Sequence, residues 1–273
     1  MGNIRVIGPR AAGKTTYLAS LAYWPDGLKR NIKNSYFKVQ PIGDDAKRLV
    51  NNAENIICEG DYLEPTKIES GGIDNMPIYS FLVEVNLPFK SPKTIDLTVR
   101  DYPGEIFEDL IESNPIHQAF IDECLMADVE GCLILLSEWK RGQDRNYRRV
   151  FKQFINLMEA QGRANNLRLA IAMSKCERGE LWPGRIEPDI DIFEQHFPET
   201  KQLLESRIPA ENLEFFALST FGVLRRTDPR PNRVNDENNH RKSALRKPEI
   251  WQPYGMIAPI YWLSTGKKMR RDA

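Results

Sequence analysis

The sequence predicts an α/β fold, a doubly wound and mainly parallel sheet with helices on both faces. Three observations predict it. Short apolar runs of strand length alternate with longer stretches of helical period along the chain. The run Gly8-Pro9-Arg10-Ala11-Ala12-Gly13-Lys14-Thr15 meets the pattern G-x-x-x-x-G-K-[ST] between a strand and a helix. Asp101 follows directly on an apolar strand, at the carboxyl end where ligands sit in such sheets.

The first strand is Ile4-Arg5-Val6-Ile7, and the first helix continues through Thr16-Tyr17-Leu18-Ala19-Ser20-Leu21. Residues 35–40 read as extended. Asp44 caps a helix whose Ala46, Leu49, Val50, Ala53, Ile56 and Ile57 recur at helical spacing, and Gly60 ends it. Residues 78–87 alternate Ile78, Ser80, Leu82, Glu84, and residues 94–100 carry Ile95, Leu97, Val99, so the two form a strand pair with Pro88 and Pro92 at its turn. Residues 132–136 make a continuous apolar strand. A helix over 146–160 turns Val150, Phe151, Phe154, Ile155, Leu157 and Met158 inward and stops at Gly162. Residues 167–173 are the next buried strand, 189–208 are mostly helical with an interruption at Pro198, and 213–218 are the last strand. A closing helix follows Pro253. Residues 225–249 are polar and charge-rich, which predicts a mobile surface insertion, either a solvated linker or a partner-docking segment, in an otherwise single domain spanning 1–273.

Composition excludes several function classes. The 273 residues hold 38 basic and 38 acidic side chains, a formal net charge of zero, so nothing electrostatic favours nucleic acid or a membrane surface. Cys58, Cys124, Cys132 and Cys176 lack C-x-x-C spacing and only three histidines exist, which suggests neither a disulfide framework nor a zinc site. A reducing, cytoplasmic setting is expected, because the chain opens on a core strand rather than a targeting segment, and Val6 stands where a myristoylation signal needs Ser or Thr. The most apolar run, 131–137, is far too short to span a bilayer.

The glycine-rich loop carries the chemistry. Gly8 and Gly13 let the backbone curl round a phosphate so that N–H groups of Arg10, Ala11, Ala12, Gly13 and Thr16 face it. Lys14 reaches the β- and γ-phosphates, and the Thr15 hydroxyl binds Mg²⁺. Asp101 in Asp101-Tyr102-Pro103-Gly104-Glu105 holds the same ion through water, while the Gly104 N–H bonds a γ-phosphate oxygen and senses it.

With both motifs in this order, residues 1–222 resemble the Ras-like GTPase superfamily of P-loop NTPases. The likeness is strongest to the translation-factor class, whose second motif often reads Asp-x-Pro-Gly. The resemblance implies that Thr66, in Leu63-Glu64-Pro65-Thr66-Lys67, binds Mg²⁺ and the γ-phosphate, although a plain turn residue after Pro65 would look the same. It also makes Ser174-Lys175-Cys176-Glu177 the counterpart of the base motif Asn-Lys-x-Asp. The Lys175 stem then packs on the base and Glu177, one methylene longer than the family's Asp, accepts from guanine N–H groups. Leu218-Ser219-Thr220 stands for the loop whose backbone N–H approaches the guanine oxygen. Arg10 replaces a frequent Gly, so it crowds the γ-phosphate, neutralises transition-state charge in cis, or is simply solvated at the surface. Glu105 takes the place of a water-orienting Gln, or serves simply as a helix-start acid. The run of residues 13–21 and Pro259-Ile260-Tyr261-Trp262-Leu263 are similar to the bacterial double-GTPase group, whose members are thought to act with protein partners. The resemblance thus implies a Mg²⁺-dependent GTP/GDP switch with slow hydrolysis and an effector protein. A non-hydrolysing nucleotide-binding module, or an ATPase that keeps Lys14, Thr15 and Asp101 without needing Glu177, remains open.

Overall fold

The computed structural model describes residues 3–23, 37–60, 76–87, 91–100, 102–108, 110, 115–140, 142–235 and 243–269. Strand β1 (Asn3–Ile7) leads through the glycine-rich loop into α1 (Lys14–Tyr23), followed by β2 (Phe37–Ile42) and α2 (Asp44–Glu54). One wider, π-type turn (Asn55–Glu59) extends α2 and closes at Gly60, whose φ of 73° suits a residue without Cβ. Next come β3 (Ile78–Val85), β4 (Lys93–Arg100), α3 (Gly104–Glu108), α4 (Pro115–Leu125), β5 (Val129–Leu136), α5 (Gln143–Ala160) and β6 (Arg168–Met173). The remainder is α6 (Pro198–Arg207), β7 (Leu213–Ala217), the short strands β8 (Val223–Arg225), β9 (Asp228–Pro231), β10 (Arg233–Asn235) and β11 (Ser243–Leu245), and α7 (Ala258–Thr265).

The strands β1, β5, β6 and β7 pair in that order, all parallel. The period of two then sends successive side chains of each strand to opposite faces. Leu133, Leu135, Ala170 and Ala172 join α1, α2 and α7 in one core, while Cys132, Ile134, Leu136, Leu169, Ile171 and Met173 join α4, α5 and α6 in the other. Being apolar on both faces is why these strands read as continuous hydrophobic runs. Not every strand is parallel. β2, β3 and β4 form an antiparallel sheet, with β4 lying beside β1. Residues 189–207 are helical apart from a break at Phe197, after which Pro198 starts α6, where Pro at the first helical position forfeits no bond.

Two elements depart from the sequence reading. Helix α4 was not foreseen, although His117, Phe120, Ile121, Cys124 and Leu125 are buried at helical spacing. The described residues of 225–249, expected as a mobile insertion, form the antiparallel pairs β8–β9 and β10–β11. Asn232 explains the order. Fully buried, it donates from Nδ2 to the Lys247 carbonyl (3.0 Å) and accepts the Lys247 N–H (2.8 Å), so its side-chain amide acts as an extra rung of ladder. Among the described residues no helix is long and apolar enough to cross a membrane.

Candidate functional site

The loop between β1 and α1 alternates backbone hands. Gly8 has φ 147°, Ala11 59° and Gly13 86°. A Cβ on Gly8 would collide with the Leu135 carbonyl of β5, so this first glycine is required by packing as well as by conformation. Successive turns of this kind gather N–H groups into an anion-binding concavity, to which the N-terminus of the ten-residue helix α1 adds its partial positive charge. Lys14 is buried and folds back onto the loop, its Nζ donating to the carbonyls of Gly8 (2.9 Å) and Pro9 (3.0 Å). Thr15 and Thr16 lie half-buried in the first turn of α1.

The second motif converges on this loop. Gly104, the first residue of α3, lies so close that a Cβ there would overlap the Arg10 backbone nitrogen and the Pro9 carbonyl carbon. Glu108 of α3 accepts the Arg10 backbone N–H at 2.9 Å, and the Arg10 guanidinium pairs with Glu105 at 3.0 Å, both side chains being about half exposed. Tyr102 is buried edge-on against Phe120, with its hydroxyl bonded to Glu123 of α4, and burial pushes that hydroxyl's pKa far up. Glu123 in turn takes Arg100 Nε at 2.9 Å, so the segment after β4 is anchored to α4 as well as to the loop. Asp101 and Thr66 lie outside the described residues.

Because backbone rather than a yielding side chain meets the would-be Cβ, Gly104→Ala is expected to force α3 off the loop. A loss of about 1–3 kcal/mol in urea unfolding should follow. An alanine variant as stable as the parent would show that loop and helix part freely.

The third contribution comes from the segment after β6. Ser174 Oγ lies 2.8 Å from the Ala12 carbonyl and 2.9 Å from that of Leu136, tying this segment to the glycine-rich loop. Lys175 Nζ donates to the Ala11 carbonyl at 2.6 Å, with its Cε 3.8 Å from where a Cβ on Gly13 would stand. Among the described residues, Ala11 and Lys175 are the two non-glycine positions with positive φ (59° and 57°). Each holds a conformation costing about 1–2 kcal/mol, and the two are bonded to each other. Paired strain of this kind is a mark of a functional site. Burial lowers the Lys175 ammonium to about 8, with help from the Arg233 and Arg178 guanidiniums.

The Glu177 carboxylate is fully buried: Oε2 accepts the Ser219 hydroxyl at 2.6 Å, and Ser219 Oγ accepts the Gly222 N–H at 2.8 Å. Oε1 has no hydrogen-bond partner and lies 3.7 Å from Arg233 Nη1, which is likewise unpartnered. Arg233 comes from β10, is held by Ser243 Oγ at 2.9 Å, and lies 5.6 Å from the Phe221 ring centre. The Ser219 N–H is donated to the Tyr254 carbonyl (2.8 Å), and Thr220 is buried with its carbonyl accepting Trp251 Nε1. Sequence reasoning missed Arg233 because one arginine in a polar run carries no local signal.

Among the described residues no group of three or more His, Cys, Asp or Glu side chains could by itself hold a metal ion. Thr15 supplies one hydroxyl, and a Mg²⁺ site that borrows phosphate oxygens needs only one or two protein carboxylates. No protein-family model matches this chain, and no similar curated protein was found.

Proposed function

We propose that the chain is a doubly wound P-loop NTPase-type switch of the Ras-like kind, binding Mg²⁺-GTP and exchanging signals with an effector protein. One observation carries this reading: the Gly104 backbone packs on Pro9 and Arg10, so a segment suited to sensing the γ-phosphate touches the loop suited to holding it. Lys14 and the loop N–H groups would bind the phosphates, Lys175 would lie against the nucleoside, and Thr15 with Asp101 and Thr66 would hold Mg²⁺. That ion would neutralise charge on the β- and γ-phosphates. Slow hydrolysis is supported by the Arg10–Glu105 ion pair, since the two candidate catalytic side chains neutralise each other. The runs at residues 13–21 and 259–263 favour the double-GTPase group within this superfamily.

A second reading, an ATPase or a non-hydrolysing module, is favoured by the burial of Glu177 beneath Arg233, which occupies the carboxylate that would read guanine. A single-turnover phosphate-release assay separates these readings. The switch predicts slow, Mg²⁺-dependent release from GTP, whereas release from ATP alone would favour the ATPase and no release the binding module.

Lys175 gives an independent check. With its pKa lowered from 10.5 to about 8, the charged form is disfavoured in the fold, so the chain should gain stability as pH rises from about 8 towards 10.5. A bound triphosphate brings negative charge and raises that pKa. Binding at pH 8.5 is therefore expected to take up a proton, and binding at pH 6.5 is not. Calorimetry in two buffers of different ionisation enthalpy reads the difference, which Lys175→Met should abolish.

A further inference from the structure

A cleft of about 690 Å³ lies away from the glycine-rich loop, along β7 and the segments at 182–188 and 223–226. Among the described residues β7 pairs only with β6, so its outer side is a sheet edge. The Phe215 N–H is turned to the Glu214 carboxylate at 3.3 Å, and Glu214 also pairs with Lys268 at 2.6 Å. A side-chain oxygen thus stands where a neighbouring strand's carbonyl would sit. Towards the end of β7, Gly255 closes on the Ala217 carbonyl, leaving the stretch before it open.

The cleft is basic in a chain of zero net charge. Arg225 and Arg226 are exposed and have no carboxylate partner among the described residues. Arg185 is stacked 4.1 Å from the Trp182 ring centre and 5.4 Å from that of Tyr254, with its Nε buried and unpartnered. Glu214 is the one acid in the lining, already matched by Lys268. Ile186, 66% exposed, adds an apolar wall.

We propose that this cleft docks a short, extended, acidic segment of a partner protein, which adds a strand to β7. A carbonyl of that segment replaces Glu214 on the Phe215 N–H, its carboxylates meet Arg225, Arg226 and Arg185, and its alternate apolar side chains lie against Ile186 and Phe216. A peptide fits better than nucleic acid, because the sheet edge offers backbone groups in strand register and the neutral chain has no long-range field to attract a polyanion. The inference supplies the partner surface for the switch reading but is tested without nucleotide, so its failure leaves nucleotide binding standing.

The test is fluorescence anisotropy with a labelled octapeptide of alternating Glu and Val, beside a Lys–Val octapeptide and a single-stranded oligothymidylate. The Glu–Val peptide should bind, the Lys–Val peptide should not, and the double variant Arg225→Glu/Arg226→Glu should weaken binding by at least about tenfold. Both substituted side chains are exposed, and circular dichroism checks the fold. Amide exchange should slow at residues 213–216 when the peptide is bound. Absence of Glu–Val binding, undiminished binding to the double variant, protection confined to other residues, or binding of the oligothymidylate in preference to the peptide would each overturn the proposal.

Discussion

Lys14→Ala is expected to abolish tight triphosphate binding while leaving the chain folded. The ammonium is held at the loop by the Gly8 and Pro9 carbonyls, so it need not be recruited from solvent when phosphates arrive. Two charge-assisted hydrogen bonds to phosphate are worth about 3–6 kcal/mol together, a factor of roughly 10² to 10⁴ in affinity. The fold should lose far less, since the Lys14 stem adds little to either apolar core. Circular dichroism and thermal unfolding establish that the variant is folded, and titration reads its affinity. A folded variant that still binds triphosphate tightly would remove this loop from the account.

Glu177 carries the second large effect, and the structure changes how it must be tested. Truncating Glu177 alone leaves the Arg233 guanidinium buried without its carboxylate, which is expected to cost about 3–5 kcal/mol of stability before any ligand is added. Removing both charges together, as Glu177→Gln with Arg233→Met, keeps an acceptor for Ser219 and an apolar stem of similar length, and should cost much less. If Glu177 reads guanine, the double variant should bind GTP about 10 to 150 times more weakly, since losing a charged acceptor costs about 1.5–3 kcal/mol. Adenine offers no matching pair of donors, so ATP affinity should stay level. Equal losses for both purines would assign the pair to structure alone and favour the ATPase or generic-nucleotide reading. Arg233→Met by itself adds a direction: with its competitor gone, Glu177 Oε1 should accept guanine more readily, at some loss of stability.

What was legible in the sequence follows from how local each signal is. The glycine-rich loop is contiguous, so its place between β1 and α1 shows in the spacing of Gly8, Gly13 and Lys14, and buried parallel strands such as β5 and β6 show as unbroken apolar runs. Helix α5 was legible from its period, although it begins at Gln143, ahead of the residues whose periodicity marks it. The strands β10 and β11 were not, because they are held by backbone pairing and by Asn232 rather than by an apolar run. Arg233 reaching Glu177, and Glu108 reaching the Arg10 N–H, are tertiary contacts between distant segments with no local trace. The bond from the Ser219 N–H to the Tyr254 carbonyl, far along the chain, is another contact of this kind. By contrast α4 carries a full helical repeat in its sequence, His117, Phe120, Ile121, Cys124 and Leu125, as local a signal as that of α5.

We propose that the glycine-rich loop, the Gly104 segment and Lys175 form one binding site for a magnesium nucleotide. Calorimetric titration of nucleotide-free protein with GTP, with and without Mg²⁺, tests it most directly. Saturable binding of one GTP per chain, tighter when Mg²⁺ is present, is the expected result. Folded protein that binds no GTP under either condition would contradict it.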